Sequence, residues 1–248
     1  MRLNDKISII TGGASGFGAG IVKKFAAEGA NVIIADLNLS AANELASEIG
    51  QNAMAIEVDV SSGESVEAMV AKVIARHKTI DIVVNNAGIG HIPQPLDQLS
   101  ESDFDRIFNV NAKSVYHMAQ HIVPIMKENN AGVILNVAST GGVSPRPNLT
   151  WYNASKGWMI TATKSMSVEL APFGIRVNAI NPVAGDTPLL KTFMGEDTPE
   201  IRAKFLSTIP IGRFSTPEDM GNAACFLCSD EASMVTGVAM EVDGGRCI

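Results

Sequence analysis

The chain has 248 residues, of which 46% are hydrophobic and 18% charged, so it can bury a substantial core and is not an intrinsically disordered polypeptide. A net charge of −7 and the absence of any Lys/Arg run exclude the electrostatic footprint of a protein that binds nucleic acid or an anionic membrane surface. The 3 cysteines do not suggest a disulfide framework, and no apolar stretch reaches the about 20 residues of a membrane span, so we expect a cytoplasmic protein.

Short runs rich in Ile and Val alternate along the chain with longer amphipathic stretches. The runs are almost continuously apolar, which predicts strands of a parallel sheet that is covered by helices on both faces. We predict seven strands, at residues 7–10, 32–35, 53–58, 80–84, 133–137, 175–180 and 238–242. Helices are predicted at residues 18–28, 40–49, 64–76, 104–127, 152–170 and 218–229. This alternation indicates one doubly wound α/β domain over residues 1–248.

An irregular segment interrupts this alternation after the sixth predicted strand. Residues 181–217 contain five prolines and three glycines and show no clear periodicity. Long loops inside a compact domain are usually lids or binding loops. We therefore predict a substrate loop at residues 183–216.

Glycines follow the first predicted strand. Gly12, Gly16 and Gly18 are spaced G-x3-G-x-G, and a helix is predicted directly after them. Glycines permit a tight turn and a close backbone approach, while the start of a helix offers free N–H groups and a positive dipole end to a pyrophosphate. The spacing differs from the commonest dinucleotide fingerprint, and no Lys-Ser/Thr pair closes it as in a P-loop.

An acidic residue ends the second predicted strand. Asp36 lies 18 residues beyond Gly18, close to the separation of about 20 typical of the carboxylate that binds a ribose diol. A carboxylate repels a 2′-phosphate, and no Lys or Arg stands beside it to attract one. The sequence therefore predicts NAD(H) rather than NADP(H).

Tyr152 and Lys156 are four residues apart in a predicted helix, so they share a face. A neighbouring ammonium favours the phenolate, which predicts a lowered pKa for Tyr152 and a role as general acid or base. Ser139 follows the fifth predicted strand, at the sheet edge where α/β proteins bind ligands. Asn111 interrupts a predicted helix, in which it is a poor interior residue, so we expect a kink and a place in a proton relay from Lys156.

In this order and at these separations, the motifs resemble those of the short-chain dehydrogenase/reductase family, over essentially the whole chain. The matching motifs are Thr11-Gly12-x3-Gly16-x-Gly18, Asp59-Val60, Asn85-Asn86-Ala87-Gly88, Asn111, Ser139, Tyr152-x3-Lys156 and Asn181-Pro182. The resemblance implies a Rossmann-type parallel sheet of seven strands and a catalytic tetrad made of Asn111, Ser139, Tyr152 and Lys156.

The resemblance also implies the cofactor contacts. Asp59 would bond the adenine amino group, and Thr187 with the residues after Pro182 would hold the carboxamide and pyrophosphate. The family's usual Pro-Gly is replaced here by Pro182-Val183, which leaves the local backbone open. The cofactor-binding candidates are Gly12, Ser15, Gly16, Phe17, Gly18, Asp36, Leu37, Asp59, Val60, Asn86, Ala87, Gly88, Tyr152, Lys156, Pro182, Val183 and Thr187.

The predicted function is an NAD(H)-dependent oxidoreductase that moves a hydride between a partly hydrophobic alcohol or ketone and nicotinamide. The substrate-facing candidates are His91, Ser139, Thr140, Phe193 and Met194, and no metal is expected. The resemblance implies a homotetramer or homodimer. Three alternatives remain: an NADPH-dependent 3-oxoacyl-carrier-protein reductase, which Asp36 and the acidic charge disfavour; a glucose-type sugar dehydrogenase; and a nucleotide-sensing protein without catalysis.

Overall fold

The computed structural model describes residues 1–248 and contains one parallel sheet in the order β3-β2-β1-β4-β5-β6-β7. This order confirms the predicted doubly wound fold with seven strands. Every strand lies within two residues of its predicted bounds. The strands are β1 Ile7–Thr11, β2 Asn31–Asp36, β3 Ala53–Glu57, β4 Ile82–Asn85, β5 Gly132–Val137, β6 Ile175–Pro182 and β7 Ala239–Val242.

Nine α-helices connect and cover these strands. None of them is both long and apolar enough to cross a membrane. Their bounds are α1 Gly16–Ala27, α2 Leu39–Ile49, α3 Gly63–His77, α4 Glu101–Phe108, α5 Ser114–Asn129, α6 Thr150–Leu170, α7 Pro188–Met194, α8 Pro199–Leu206 and α9 Pro217–Cys228.

Apolar side chains cover both faces of the sheet because successive strand residues point to opposite sides. Ile10 and Ile34 pack on one face with α1 and α9. Ile9 and Ile33 pack on the other face with α3 and α5. Each cluster contains 20 buried residues, so the sheet is sandwiched between two cores of equal size.

The strand order reverses between β1 and β4, and polar groups at their carboxyl ends link the two strands. The hydroxyl of Thr11 accepts hydrogen bonds from the backbone N–H groups of Asn86 (3.0 Å) and Ala87 (3.1 Å). It also donates to the carbonyl oxygen of Val84 at 3.3 Å. Ligands of doubly wound proteins bind at this kind of switch point, so the contacts shape the floor of the expected site.

The long predicted helix at residues 104–127 is divided in the structure. It begins at Glu101, where the side chain of Ser100 caps the N-terminus, and α4 ends at Phe108. Asn109–Lys113 then form a π-helical turn before α5 begins. The wider turn lets Asn111 leave the regular helical pattern, so the expected interruption lies at the expected residue.

The irregular segment predicted at residues 183–216 contains two helices, and the prediction was wrong for α7 and α8. Each helix starts at a proline that follows a threonine, at Pro188 and Pro199. Proline is favoured at the first helical position because its missing N–H would have no partner there. A parallel bridge between Gly185 and Ser215 closes the base of this segment.

Candidate active site

A cavity of about 560 Å³ opens at the carboxyl ends of the central strands. Its lining runs from the glycine-rich loop after β1, past the ends of β2, β3, β4 and β5, to the first residues of α6 and the side of α7. One continuous cleft therefore joins most of the predicted cofactor residues to Ser139, Tyr152 and Lys156 of the predicted tetrad.

The glycine-rich loop needs glycine for two different reasons. Gly12 and Gly16 have φ of 60° and 51°, in the left-handed region that other residues rarely adopt. A Cβ on Gly12 would lie 2.9 Å from the Cα of Ala87. Gly18 does not line the cavity, and its Cβ would lie 2.0 Å from the carbonyl oxygen of Gly12. Gly18 therefore serves packing of the turn rather than contact with a ligand.

Asn86 braces this loop from the neighbouring strand. Its Nδ2 donates to the carbonyl oxygens of Thr11 (2.9 Å) and Gly12 (3.0 Å). Those bonds hold the backbone that follows β1 in its turn. The Ser15 side chain does not cap α1, so the first N–H groups of this helix have no side-chain partner, and Ser15, Gly16 and Phe17 line the cleft.

Two carboxylates line the far end of the cavity. Asp36 accepts hydrogen bonds from the backbone N–H groups of Ala14 (3.0 Å) and Asn38 (2.9 Å). Asp59 accepts from the backbone N–H (2.9 Å) and hydroxyl (2.6 Å) of Ser61. Both side chains are thus oriented by local contacts, and Leu37 and Val60 lie beside them in the lining.

Ser139 and Tyr152 meet at the other end. The hydroxyl of Ser139 accepts a hydrogen bond from the N–H of Gly141 at 3.0 Å. A Cβ on Gly141 would lie 3.3 Å from Ser139 Oγ and 3.4 Å from Tyr152 Cε1, so both side chains border the same point. The ring of Phe193 packs against Tyr152, with 4.8 Å between centroids. A substrate oxygen beside Tyr152 would be screened from water by Phe193.

Lys156 and Asn111 face each other across Gly88. A Cβ on Gly88 would lie 3.2 Å from Lys156 Nζ and 3.4 Å from Asn111 Oδ1. Lys156 donates to the carbonyl oxygen of Val137 at 2.8 Å. Asn111 is fully buried and does not line the cavity; its amide accepts from Ile89 N (2.8 Å) and donates to Ile89 O (2.9 Å).

Burial governs the proton affinities of the Tyr152–Lys156 pair. It raises the pKa of Tyr152 to about 12, an effect that hydrogen bonding with Ser139 only partly offsets. It lowers the pKa of Lys156 to about 8. The expected lowering of the Tyr152 pKa by the ammonium was therefore wrong for the protein's own groups, because desolvation of the phenolate is the larger effect.

Most residues predicted from the sequence border the cavity, including Thr140, Pro182, Val183 and Thr187. Two predicted substrate contacts do not. His91 is buried outside the lining, where its Nδ1 lies 2.9 Å from the carbonyl oxygen of Ile92. Met194 is buried at the end of α7, because the helical turn that directs Phe193 to the cavity directs the next residue elsewhere.

The prediction omitted several lining residues, among them Arg146 and Leu149 between β5 and α6, and Asn153 in the first turn of α6. Arg146 is half-buried, its guanidinium lies 4.5 Å from the centre of the Phe205 ring, and its Nη2 donates to Thr208 Oγ1 at 3.1 Å. The side-chain amide of Asn153 donates to the carbonyl oxygen of Arg146 at 2.8 Å. The segment has no periodic pattern, and only its Pro-Arg-Pro sequence marked it as a loop.

A cleft with a phosphate-type cradle at one end and a buried proton donor at the other defines a dinucleotide-dependent oxidoreductase of the doubly wound class. Comparison with known proteins narrows the class. A family model described as enoyl-(acyl carrier protein) reductase matches residues 12–246. The chain belongs to the short-chain dehydrogenase/reductase family, as its motifs predicted, and is an oxidoreductase of that family.

Individual relatives match over nearly their whole length. The 4-formylbenzenesulfonate dehydrogenase of Comamonas testosteroni is 48% identical, with 100% of both chains covered. The 7alpha-hydroxysteroid dehydrogenase of Escherichia coli (strain K12) is 39% identical and covers 99% of this chain and 95% of that protein. A crystal structure of 3-ketoacyl-(acyl-carrier-protein) reductase from Brucella melitensis, complexed with NADH, has 50% identity and a TM-score of 0.95, covering 99% of this chain and 100% of that one.

Proposed function

We propose that this protein interconverts an alcohol and its aldehyde or ketone with NAD(H), using Tyr152 as the proton donor and acceptor. The observation that carries the proposal is the position of Tyr152, buried beside Ser139 in the cleft that begins at the glycine-rich loop. A nucleotide-sensing role without catalysis would leave that arrangement unused.

The cavity fits NAD(H). Gly12 and Gly16 line the cavity in the left-handed conformation that the turn requires, and the start of α1 would offer N–H groups to a pyrophosphate. Asp36 would accept from the ribose diol and repel a 2′-phosphate, and the similar Brucella melitensis protein was solved with NADH. The remaining predicted contacts, from Asp59 to Thr187, line the same cleft. When bound, the nicotinamide supplies or accepts the hydride at the substrate carbon.

The chain's own residues move the proton. In reduction, Tyr152 donates its hydroxyl proton to the substrate oxygen, which the Ser139 hydroxyl orients by a hydrogen bond. In oxidation, Tyr152 takes the proton from the alcohol, and the ammonium of Lys156 stabilises the phenolate that must exist beforehand. Asn111 holds the backbone of Ile89 in place, next to Gly88 and Lys156. Its role in this proposal is to keep a path for protons open beside Lys156.

The substrate end of the cavity favours a medium-sized, mostly apolar compound, because Leu149, Leu189, Phe193 and Phe205 line it. Aromatic aldehydes and benzylic alcohols match that lining, and one relative is named for an aromatic aldehyde. The second candidate function is reduction of a 3-oxoacyl thioester, favoured by 50% identity to the Brucella melitensis reductase. Turnover of acetoacetyl thioesters far above that of aromatic aldehydes would favour this candidate.

The central test is Tyr152→Phe. General acid–base groups contribute about 10²- to 10⁴-fold, so we expect a loss of that order in turnover of an aldehyde panel with NADH. NADH binding, followed by fluorescence, should stay within about threefold of wild type because the phenol is not needed to hold the dinucleotide. Near-normal turnover in this variant would remove Tyr152 from the proposed role.

We also propose a cytoplasmic homotetramer or homodimer. Tyr116, Trp158 and Val168 are exposed apolar residues on α5 and α6, with Val168 78% exposed, and such residues are candidates for burial between subunits. Sedimentation velocity gives the test, with a monomer as the contradicting result.

A further inference from the structure

We propose that Arg146 receives an anionic group of the substrate, so that the preferred substrate is an aromatic or similarly apolar aldehyde or alcohol carrying a carboxylate or sulfonate. This inference rests on the proposed oxidoreductase function. It adds the charge that the substrate carries and the residue that recognises it.

The first step of the argument is the charge distribution along the cavity. Four charged residues line it: Asp36, Asp59, Lys156 and Arg146. The two carboxylates lie at the carboxyl ends of β2 and β3, where the adenosine part of NAD(H) would bind. Lys156 is already used in a hydrogen bond to the carbonyl oxygen of Val137. Arg146 is thus the charged residue that remains for the substrate end, where Leu149 and Phe205 also line the cavity.

The second step is that Arg146 has no acidic partner. None of the six ion pairs in the structure involves it. Burial and the nearby Arg246 both disfavour the charged form and lower the pKa of Arg146. A half-buried guanidinium normally has a counter-charge, and an anion in the cavity would supply it.

The third step is that the surroundings are built to hold this cation in place. The guanidinium lies over Phe205, one of its N–H groups donates to Thr208, and its backbone carbonyl accepts from Asn153. Asn153, which follows Tyr152 directly, is 7% exposed and lines the cavity. The bond from Asn153 ties the loop that carries Arg146 to the residue next to Tyr152, so the positive charge is held near the reacting end of the cavity.

Arg246 reinforces the arrangement from the C-terminal segment. It donates to the hydroxyl (3.0 Å) and the carbonyl oxygen (3.2 Å) of Ser144, two residues before Arg146. Arg246 also forms no ion pair, so the loop that carries Arg146 is held by a second cation rather than neutralised by an acid. Arg246 does not line the cavity, but its charge adds to that of Arg146 and favours an anion at this end although the chain as a whole is acidic.

A matched pair of substrates tests the inference. 4-Carboxybenzaldehyde carries one negative charge that its methyl ester lacks, and this charge lies on the opposite side of the ring from the reacting carbon. With NADH, we expect wild-type kcat/KM to be about tenfold or more higher for the acid, and Arg146→Gln to remove most of that preference through KM. The ester should change by less than about threefold, and Arg146→Lys should keep part of the preference. Arg76→Gln, at an exposed arginine on α3, is the matched control and should alter neither substrate.

Binding supplies a readout that does not depend on turnover. In the Tyr152→Phe protein with NADH, calorimetry should show tighter binding of the acid than of the ester, and adding Arg146→Gln should remove the difference. In the protein with Arg146 intact, raising the ionic strength should weaken binding of the acid only, which gives a test even if the glutamine variant folds poorly.

The possible outcomes separate the two proposals. Reduction of the ester without a preference for the acid would overturn the role of Arg146 and leave the oxidoreductase function standing. Tighter binding of the acid through Arg146 with no turnover of any aldehyde or alcohol would overturn the proposed function instead. A preference for the acid that survives in Arg146→Gln would also overturn the role of this residue.

Discussion

Tyr152 and Lys156 are both buried, and burial moves each of them towards its neutral form. The phenol keeps its proton to about pH 12 and the ammonium loses its proton near pH 8. The protein's own groups therefore present a proton donor at neutral pH, which suits carbonyl reduction. Alcohol oxidation needs the phenolate and depends on the positive charge that Lys156 carries below its pKa.

The pH dependence of reduction follows from the raised pKa of Tyr152 and the lowered pKa of Lys156. Below pH 8 the ammonium is present and Tyr152 is protonated, so we expect a flat rate. As the pH rises through about 8 the charge on Lys156 is lost, and the rate of reduction should fall although Tyr152 is still protonated. Stopped-flow rates of NADH consumption across pH 6 to 10 measure this profile.

Lys156→Arg is the control for that profile. Arginine keeps its charge throughout this range, so the fall near pH 8 should disappear even if the overall rate is lower. An identical fall in the arginine variant would assign the titration to another group.

Asp36 combines two tasks that substitution can separate. Its carboxylate holds the N–H groups of Ala14 and Asn38, and its charge opposes a 2′-phosphate. Asp36→Asn removes the charge and keeps one of the two acceptor oxygens, so we expect the ratio of NADPH to NADH affinity to rise by about tenfold and Tm to fall slightly, because one N–H group loses its acceptor. Asp36→Ala should raise the ratio similarly and lower Tm further, because both N–H groups lose their acceptor. Fluorescence titration and thermal melting give both values.

The positions of residues that belong to a motif or follow a strand could be predicted individually from the sequence. Gly12, Asp36 and Tyr152 line the cavity because each stands at a sequence position whose geometry the fold determines. Arg146 and Asn153 were missed because their place depends on a loop path and on contacts with α8, which no local pattern encodes. His91 was placed in the cavity on proximity in sequence alone, and it lies outside.

At the scale of elements, the π-helical turn Asn109–Lys113 is the feature that brings Asn111 to the site. The widened turn directs the amide towards Ile89, whose N–H and C=O it pairs as a neighbouring strand would. The Asn111 amide also donates to the hydroxyl of Ser155 at 3.1 Å, so this one side chain connects the loop after β4 to α6.

Removing this amide should therefore destabilise the fold. Asn111→Ala leaves the half-buried N–H and C=O of Ile89 without a protein partner, at a cost of up to about 1–3 kcal/mol for each group. We expect urea denaturation to show a fall of that order in the free energy of unfolding, together with reduced turnover. Unchanged stability would mean that water replaces the amide.

Helices α7 and α8 show where element prediction failed. Each has eight residues or fewer, so too few turns exist to establish a helical period. The threonine-proline pairs at 187–188 and 198–199 marked both starts, in the same way as Thr216-Pro217 at α9. Longer elements were found because burial imposes a pattern over many residues.

At the scale of the whole molecule, the first and last large helices lock together through glycine. A Cβ on Gly20 of α1 would lie 2.1 Å from the carbonyl oxygen of Pro217, and one on Gly221 of α9 would lie 2.8 Å from the carbonyl oxygen of Gly20. These close approaches let α1, which begins at the glycine-rich loop, pack directly on the C-terminal part of the chain.

Two alanine substitutions should therefore differ in their effect on stability. Gly20→Ala drives a methyl group into backbone, so we expect Tm to fall by about 10 °C or more and NADH binding to weaken as α1 shifts. Gly157→Ala in α6 meets no atom closer than 3.8 Å and should be neutral or slightly stabilising, because alanine loses less entropy in a helix. Differential scanning calorimetry compares the two, and equal melting temperatures would contradict the packing argument.

The bridge between Gly185 and Ser215 has a consequence for how such an enzyme can change. The Asp186 N–H donates to Ser215 O at 3.0 Å, and Ser215 N–H donates to Ala184 O at 3.3 Å, so the two stems of α7 and α8 are pinned together. The segment between Gly185 and Ser215, which contains α7 and α8, therefore leaves the rest of the domain and returns to it at the same point. This segment can therefore be replaced during evolution or by protein engineering. Replacement would change which substrates bind, while Ser139, Tyr152 and Lys156 keep their positions.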